Sequence, residues 1–316
     1  VNLSSRCDAQ IEDRLPNLII PGAAKSGTTT IHHYLAQHPR VYLPHVKEPH
    51  FFSNDRVWER GVEYYVHTHF ERSAGFAVRA EATPHYLFYE KAAQRIAQVL
   101  PASHQRFVIV LRDPVARAYS LYWNMVHEGH ETLSFEEALA HENGRAGTRE
   151  IEQIGGIRWQ YFESGRYANQ LECWFRYFDR SRFLFVLSED LQSDPLATMS
   201  RVFGFVGLPA LDSLDTVAKN VAALPRSRAL QHFLRRPNRA RRVLGALVPE
   251  RWKRNFAERI LRANRRPFDY PPMHAETERT LRERFAADVE HLQSLIERDL
   301  SAWLPAVRDS RERIER

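Results

Sequence analysis

The sequence predicts a three-layer α/β fold, a central and mainly parallel sheet with helices on both faces. Three observations predict it. The stretches Leu18-Ile19-Ile20, Phe107-Val108-Ile109-Val110-Leu111 and Arg182 to Leu187 are short and predominantly apolar, the pattern of strands buried on both faces. Helical patterns follow them, at Ile31 to Gln37, Pro114 to about His127 and Pro195 to Val206, and such alternation builds parallel sheets. With 316 residues, 43% of them hydrophobic, the chain can bury one substantial core.

The first strand leads into Pro21-Gly22-Ala23-Ala24-Lys25-Ser26-Gly27-Thr28-Thr29-Thr30. A strand, a glycine turn and a helix start gather backbone N–H groups around one point, where the helix N-terminus adds partial positive charge. Lys25 adds a full charge, and the hydroxyls of Ser26, Thr28, Thr29 and Thr30 add short donors. The segment therefore suits a phosphate or sulfate group, and the alternative is an ordinary capped turn. It is P-loop-like without being a Walker A loop: lysine precedes the second glycine, and only Ala23 and Ala24 separate Gly22 from Lys25. The Mg-nucleotide signature is missing.

Further along, a short strand is expected around Val41-Tyr42-Leu43, helix or loop over 56–75, and a strand around Phe76-Ala77-Val78. A helix over 90–100 precedes the 107–111 strand, which ends in Arg112-Asp113-Pro114-Val115-Ala116-Arg117-Ala118-Tyr119-Ser120. An arginine at the C-terminal end of a parallel strand sits where open α/β sheets bind ligands. Its planar fork matches a phosphate, and Ser120 in the next helix can face the same point. Arg112-Asp113 also reads as a local salt bridge.

Residues 127–165 carry Gly129, Gly144, Gly147, Gly155 and Gly156 around a helix from Ser134 to Glu142. Such a segment is placed to shape a cleft or lid, the alternative being a plain surface connection. A helix from Tyr161 to Phe178 follows, with Trp159, Tyr161 and Tyr167 read as core. The stretch Leu224 to Phe268 is densely basic with interleaved apolar residues. It reads first as a solvated face, then as a surface for an anionic acceptor or for peripheral membrane contact over 225–266. No nucleic-acid recognition motif accompanies the charge, so no nucleic-acid partner is expected. Leu281, Phe285, Val289, Leu292 and Ile296 give a long amphipathic helix between Met273 and Trp303. No repeat interrupts this single domain, 1–316, with a core over about 15–210 and a basic helical part over about 220–305.

The net charge is +6, and no run approaches the roughly 20 apolar residues of a membrane span. The N-terminus carries Asp8, Glu12 and Asp13 and no apolar signal core, so a cytoplasmic protein is expected. Two cysteines, Cys7 and Cys173, imply no disulfide framework, and Cys173 reads as a buried thiol. No Cys/His cluster has zinc spacing. The arginine and alanine bias fits a bacterial source.

Together, the Lys25-Ser26-Gly27-Thr28-Thr29 and Arg112…Ser120 segments resemble the sulfotransferases that use 3′-phosphoadenosine 5′-phosphosulfate (PAPS). Lys47-Glu48-Pro49-His50-Phe51-Phe52 and Glu81-Ala82-Thr83-Pro84-His85-Tyr86 are similar to segments of the heparan-sulfate-type and related bacterial carbohydrate enzymes. The resemblance implies that Lys25 to Thr30 bind the 5′-phosphosulfate and that Arg112 and Ser120 bind the 3′-phosphate. It implies further that a basic loop closes over the nucleotide, for which Arg226 and Arg228 are the nearest counterparts, without the usual glycine. Glu48 takes the family's base position, with His50 the competing base and Lys25 the cation on the leaving oxygen. The implied reaction moves a sulfuryl group to a hydroxyl, or less readily an amine, of a glycan, glycolipid, lipid-linked or small acceptor. It needs no metal and releases adenosine 3′,5′-bisphosphate.

Two positions depart from the family. Ser53 stands where those enzymes carry an acidic residue, and Ala82 replaces a lysine near the transferring group, a charge that His85 or a C-terminal arginine would have to supply. Animal relatives of this type make a Golgi luminal domain the alternative to a cytoplasmic one. The rival functions are a nucleotide kinase or NTPase, and a non-catalytic anion- or membrane-binding protein on the same fold.

Overall fold

The computed structural model describes residues 9–145, 157–216, 223–225, 265–267 and 270–306. Five strands form one sheet: β1 (Leu18–Gly22), β2 (Val41–Tyr42), β3 (Val78–Ala82), β4 (Phe107–Leu111) and β5 (Phe183–Leu187). Their order is β2-β3-β1-β4-β5, and every neighbouring pair is parallel. The longer helices are α1 (Thr28–Leu35), α2 (Gly61–His69), α3 (Glu90–Val99), α4 (Pro114–Glu128), α5 (Tyr167–Phe175), α6 (Pro195–Phe205) and α7 (Ala275–Ile296). A separate antiparallel pair joins β6 (Ala223–Pro225) to β7 (Arg265–Pro267).

Strand β4 shows how the sheet sorts the chain into layers. Phe107, Ile109 and Leu111 face one core with residues of α3, α4, α5 and α7, whereas Val108 and Val110 face a second core with α1 and α6. All five are fully buried. Two covered faces explain why the run is continuously apolar, and each such side chain stabilises by about 1.5–3 kcal/mol.

The strand order also fixes where a ligand can sit. From β1 the chain builds β2 and β3 on one side, then crosses to β4 on the other. The loops leaving β1 and β4 therefore part at a switch point, the usual crevice of open α/β sheets.

Some elements differ from expectation. Strand β3 runs over Val78–Ala82 instead of 76–78, so Glu81 and Ala82 belong to the sheet and not to a following loop. The expected helix over 161–178 is shorter: α5 spans Tyr167–Phe175, after a single 3-10 turn at Glu163–Gly165. Tyr161 and Tyr167 are core residues, while Trp159 and Cys173 are only half-buried. No helix among the described residues is long and apolar enough to cross a membrane. Most of the 225–266 basic segment lies outside the described residues.

Candidate active site

The loop after β1 is shaped by two left-handed residues. Lys25 has φ 69° and Gly27 has φ 107°, and the second value favours glycine. Ala23 N donates to Val110 O at 2.7 Å, drawing the loop onto β4. Gly27 is the N-cap of α1, and no side chain caps that helix. The first turn, Thr28 to Thr30, thus opens on the loop with its positive dipole end. Thr28 is buried, while Thr29 and Thr30 are half-buried. Ser26 is 1% exposed, and its hydroxyl makes no hydrogen bond of ordinary geometry, although the Tyr167 side chain is beside it.

Lys25 and Arg112 meet. Arg112 Nη1 donates to Lys25 O at 3.3 Å, which brings the two sequence motifs to one point. Asp113 is not the partner of Arg112. It caps α4 by accepting from Val115 N at 2.8 Å and pairs with Arg282 of α7 at 3.1 Å. Arg112 is instead held from behind, where the Tyr167 hydroxyl donates to its carbonyl at 3.1 Å. Ser120 lies on the following helix and is buried. Tyr270 makes hydrogen-bonding contact with Ser120 and stacks on Trp123 at 5.6 Å between centroids.

The Lys25 ammonium donates to Asn124 Oδ1 at 2.9 Å. Burial lowers its pKa, and Glu128, one turn beyond Asn124, opposes that shift. Glu48 opposes it too, so that carboxylate is within electrostatic reach of Lys25.

Glu48 and His50 both have positive φ, 61° and 54°, an unusual backbone for such residues. The loop presents Lys47, Glu48 and His50 together. Lys47 Nζ donates to Glu48 Oε1, and His50 Nε2 lies 3.9 Å from Glu48 Oε2. Burial pushes the Glu48 carboxyl up, but the charge and hydrogen bond of Lys47, helped by His85 and His50, hold it below its usual range. Burial also lowers the His50 pKa, which keeps that ring neutral near pH 7.

His85 stacks on His50 at 5.0 Å with 25° between the rings. Burial, together with neighbouring His50, brings its pKa down to about 4. A neutral His85 does not replace the missing lysine charge, and Ala82 is packed at the end of β3, 2% exposed.

Beneath this loop lies an aromatic shelf. Phe51 and Phe52 are fully buried, and Phe51 stacks on Tyr65 at 4.3 Å. Phe52 N donates to the Tyr86 hydroxyl at 3.3 Å. Tyr65 and Thr83 donate to Glu81, which is fully buried with its pKa raised by that burial. Glu81 thereby anchors the shelf.

The structure thus brings Lys25, Ser26, Gly27, Thr28, Thr29, Thr30, Arg112 and Ser120 to the β1/β4 crevice, with Glu48 within electrostatic reach of Lys25 and His50 beside Glu48. Arg226 and Arg228 lie outside the described residues. Sequence reasoning missed Asn124, Glu128 and Tyr270, and named His85 only as a candidate for the missing lysine charge. Asn124 and Glu128 carry a signal, being four and eight residues after Ser120 and so on one face of α4.

Residues 15–228 match the family described as Sulfotransferase domain. The chain is 36% identical over 197 residues to human heparan sulfate glucosamine 3-O-sulfotransferase 6, covering 62% of this chain and 53% of that protein. It is 34% identical over 195 residues to mouse heparan sulfate glucosamine 3-O-sulfotransferase 3B1, covering 62% and 47%. The chain spans about half the length of these curated relatives. A solved sulfotransferase from Alicyclobacillus acidocaldarius is similar in structure, with TM-score 0.66, 29% identity and coverage of 92% of this chain and 98% of that one.

Proposed function

The chain belongs to the sulfotransferase family, and we propose that it transfers a sulfuryl group from PAPS to a hydroxyl of a carbohydrate. The contact that carries this reading is Arg112 Nη1 on Lys25 O, which joins the two anion-binding segments at one crevice. The carbohydrate class is supported by the heparan sulfate enzymes among the relatives.

PAPS would be held through its phosphosulfate by the Lys25–Thr30 loop and through its 3′-phosphate by Arg112 and Ser120. The acceptor oxygen attacks sulfur in line. The bond from sulfur to the bridging phosphate oxygen breaks, and adenosine 3′,5′-bisphosphate leaves. Glu48 takes the acceptor proton, a step typically worth about 10²–10⁴-fold. Lys25 neutralises the bridging oxygen, and Asn124 keeps its ammonium aimed. Positioning and fixed charge supply the remainder, as in phosphoryl transfer. Metal independence, cytoplasmic location and the contribution of Arg226 and Arg228 are parts of the same proposal.

Thermal unfolding with adenosine 3′,5′-bisphosphate, adenosine 5′-monophosphate and Mg-ATP tests the donor site. A ligand at 100-fold excess over Kd adds about 2.7 kcal/mol, on the order of 5 °C in a domain of this size. The bisphosphate alone should give that shift, and Arg112→Ala should lose it. A response to Mg-ATP alone would overturn the donor assignment in favour of a kinase.

A further inference from the structure

Glu48, His50 and His85 have a second property as a group. One carboxylate oxygen and one nitrogen from each ring all lie within 4.8 Å of one another. Lys47 occupies Glu48 Oε1, while Oε2 faces His50 Nε2 at 3.9 Å. The near-parallel stacking of the imidazoles sets the edges of two rings side by side. His85 Nδ1 is buried with no hydrogen-bond partner among the described residues, an unfavourable state that a ligand would relieve.

Two imidazoles and one carboxylate are a donor set for zinc-class ions. Zinc binds nitrogen and oxygen at about 2.0–2.2 Å, which places tetrahedral ligand atoms about 3.3 Å apart. The cluster therefore needs to close by at most about 1.5 Å, within the reach of side-chain rotation. Imidazole favours zinc, copper or nickel over magnesium and calcium, which prefer all-oxygen shells. Like-charge repulsion from Lys47 makes the site weaker than a closed four-ligand one.

We propose that Glu48, His50 and His85 bind a zinc-class divalent ion, and that the bound ion inhibits the enzyme by occupying the carboxylate that receives the acceptor's proton. The inhibition rests on the sulfotransferase reading, whereas the binding does not. Three protein ligands leave the fourth position to water. The ion is a regulator of the reaction and not a participant in it.

The test is isothermal titration of Zn²⁺ into the full chain in a non-chelating buffer, with Mg²⁺ as control and Co²⁺ absorption as a report of nitrogen ligation. One site is expected that Mg²⁺ does not fill, weakened at least tenfold in His85→Gln and in Glu48→Gln. Each variant is checked by its melting temperature and by stabilisation with the bisphosphate. Equal zinc affinity in wild type and in a folded variant would overturn the site. Should His85→Gln fail to fold, Glu48→Gln decides, because its side chain is 32% exposed. In the transfer assay, Zn²⁺ should inhibit wild type and EDTA should restore activity, and binding without inhibition would overturn the regulatory half. Zinc binding in a chain that ignores the bisphosphate would sink the sulfotransferase reading and leave the metal site standing.

Discussion

At Glu48 and His50 two candidate bases sit 3.9 Å apart, and their opposite chemistry separates them. A base acts in its deprotonated form, so activity is lost as pH falls through its pKa. Glu48 is held below its ordinary 4.5, and His50 lies below its ordinary 6.5. With Glu48 as base, kcat/KM should stay level from neutrality down to about pH 5 and fall only below that. With His50 as base, the fall would set in as pH drops below 6.5. A profile of kcat/KM against pH decides, and the Glu48 limb should vanish in Glu48→Gln with a loss of about 10²–10⁴-fold. The residues that shape the loop after β1 were legible in the sequence because their role is written in residue type. Gly27 is needed for its φ, and Lys25 and Arg112 for their charge. Asn124, in contrast, is a generic polar residue on a helix, and only the fold places its oxygen on Lys25.

Among the elements, β1 and β3 differ most in how openly the sequence declares them. β1 is apolar and ends at Gly22, where an added Cβ would lie 2.5 Å from Leu87 Cβ. Gly22→Ala should therefore cost about 1–3 kcal/mol in urea unfolding. The double variant with Leu87→Gly should cost less than the sum of the two, because that change removes the Cβ which the new methyl would meet. β3 reads Val-Arg-Ala-Glu-Ala, and its charges disguise a strand whose five residues are all buried. Arg79 is satisfied by Leu15 O at 2.8 Å and Phe76 O at 3.0 Å, and Glu81 by Tyr65 and Thr83. Leu15 and Tyr65 are remote in sequence, so no local pattern announces those two bonds. The capped helix Phe135–Ala140 is the contrary case: Ser134 and Glu137 form its capping box within four residues.

For the molecule as a whole, α7 ties the C-terminal part to the crevice. Its apolar stripe was legible from spacing, but its place against α4 and α5 was not, since periodicity gives a buried face without naming what covers it. Phe285 is fully buried, 4.5 Å from the Phe162 ring, and Arg282 pairs with the Asp113 that caps α4. Phe285→Ala should cost about 3–5 kcal/mol in equilibrium unfolding. A cost under about 1 kcal/mol would mean that α7 is peripheral to the core.

The strand order also bears on how the protein comes into being. Lys25 and Arg112 are separated by 87 positions and meet only through the β1–β4 pairing. On a ribosome, a nascent chain that has just released α1 carries the Lys25 loop without its arginine. The proposed nucleotide site is complete only after β4 and α4 have emerged. In the proposed site, PAPS or its bisphosphate product would bind only the chain in which both strands are paired, and would stabilise that pairing by mass action.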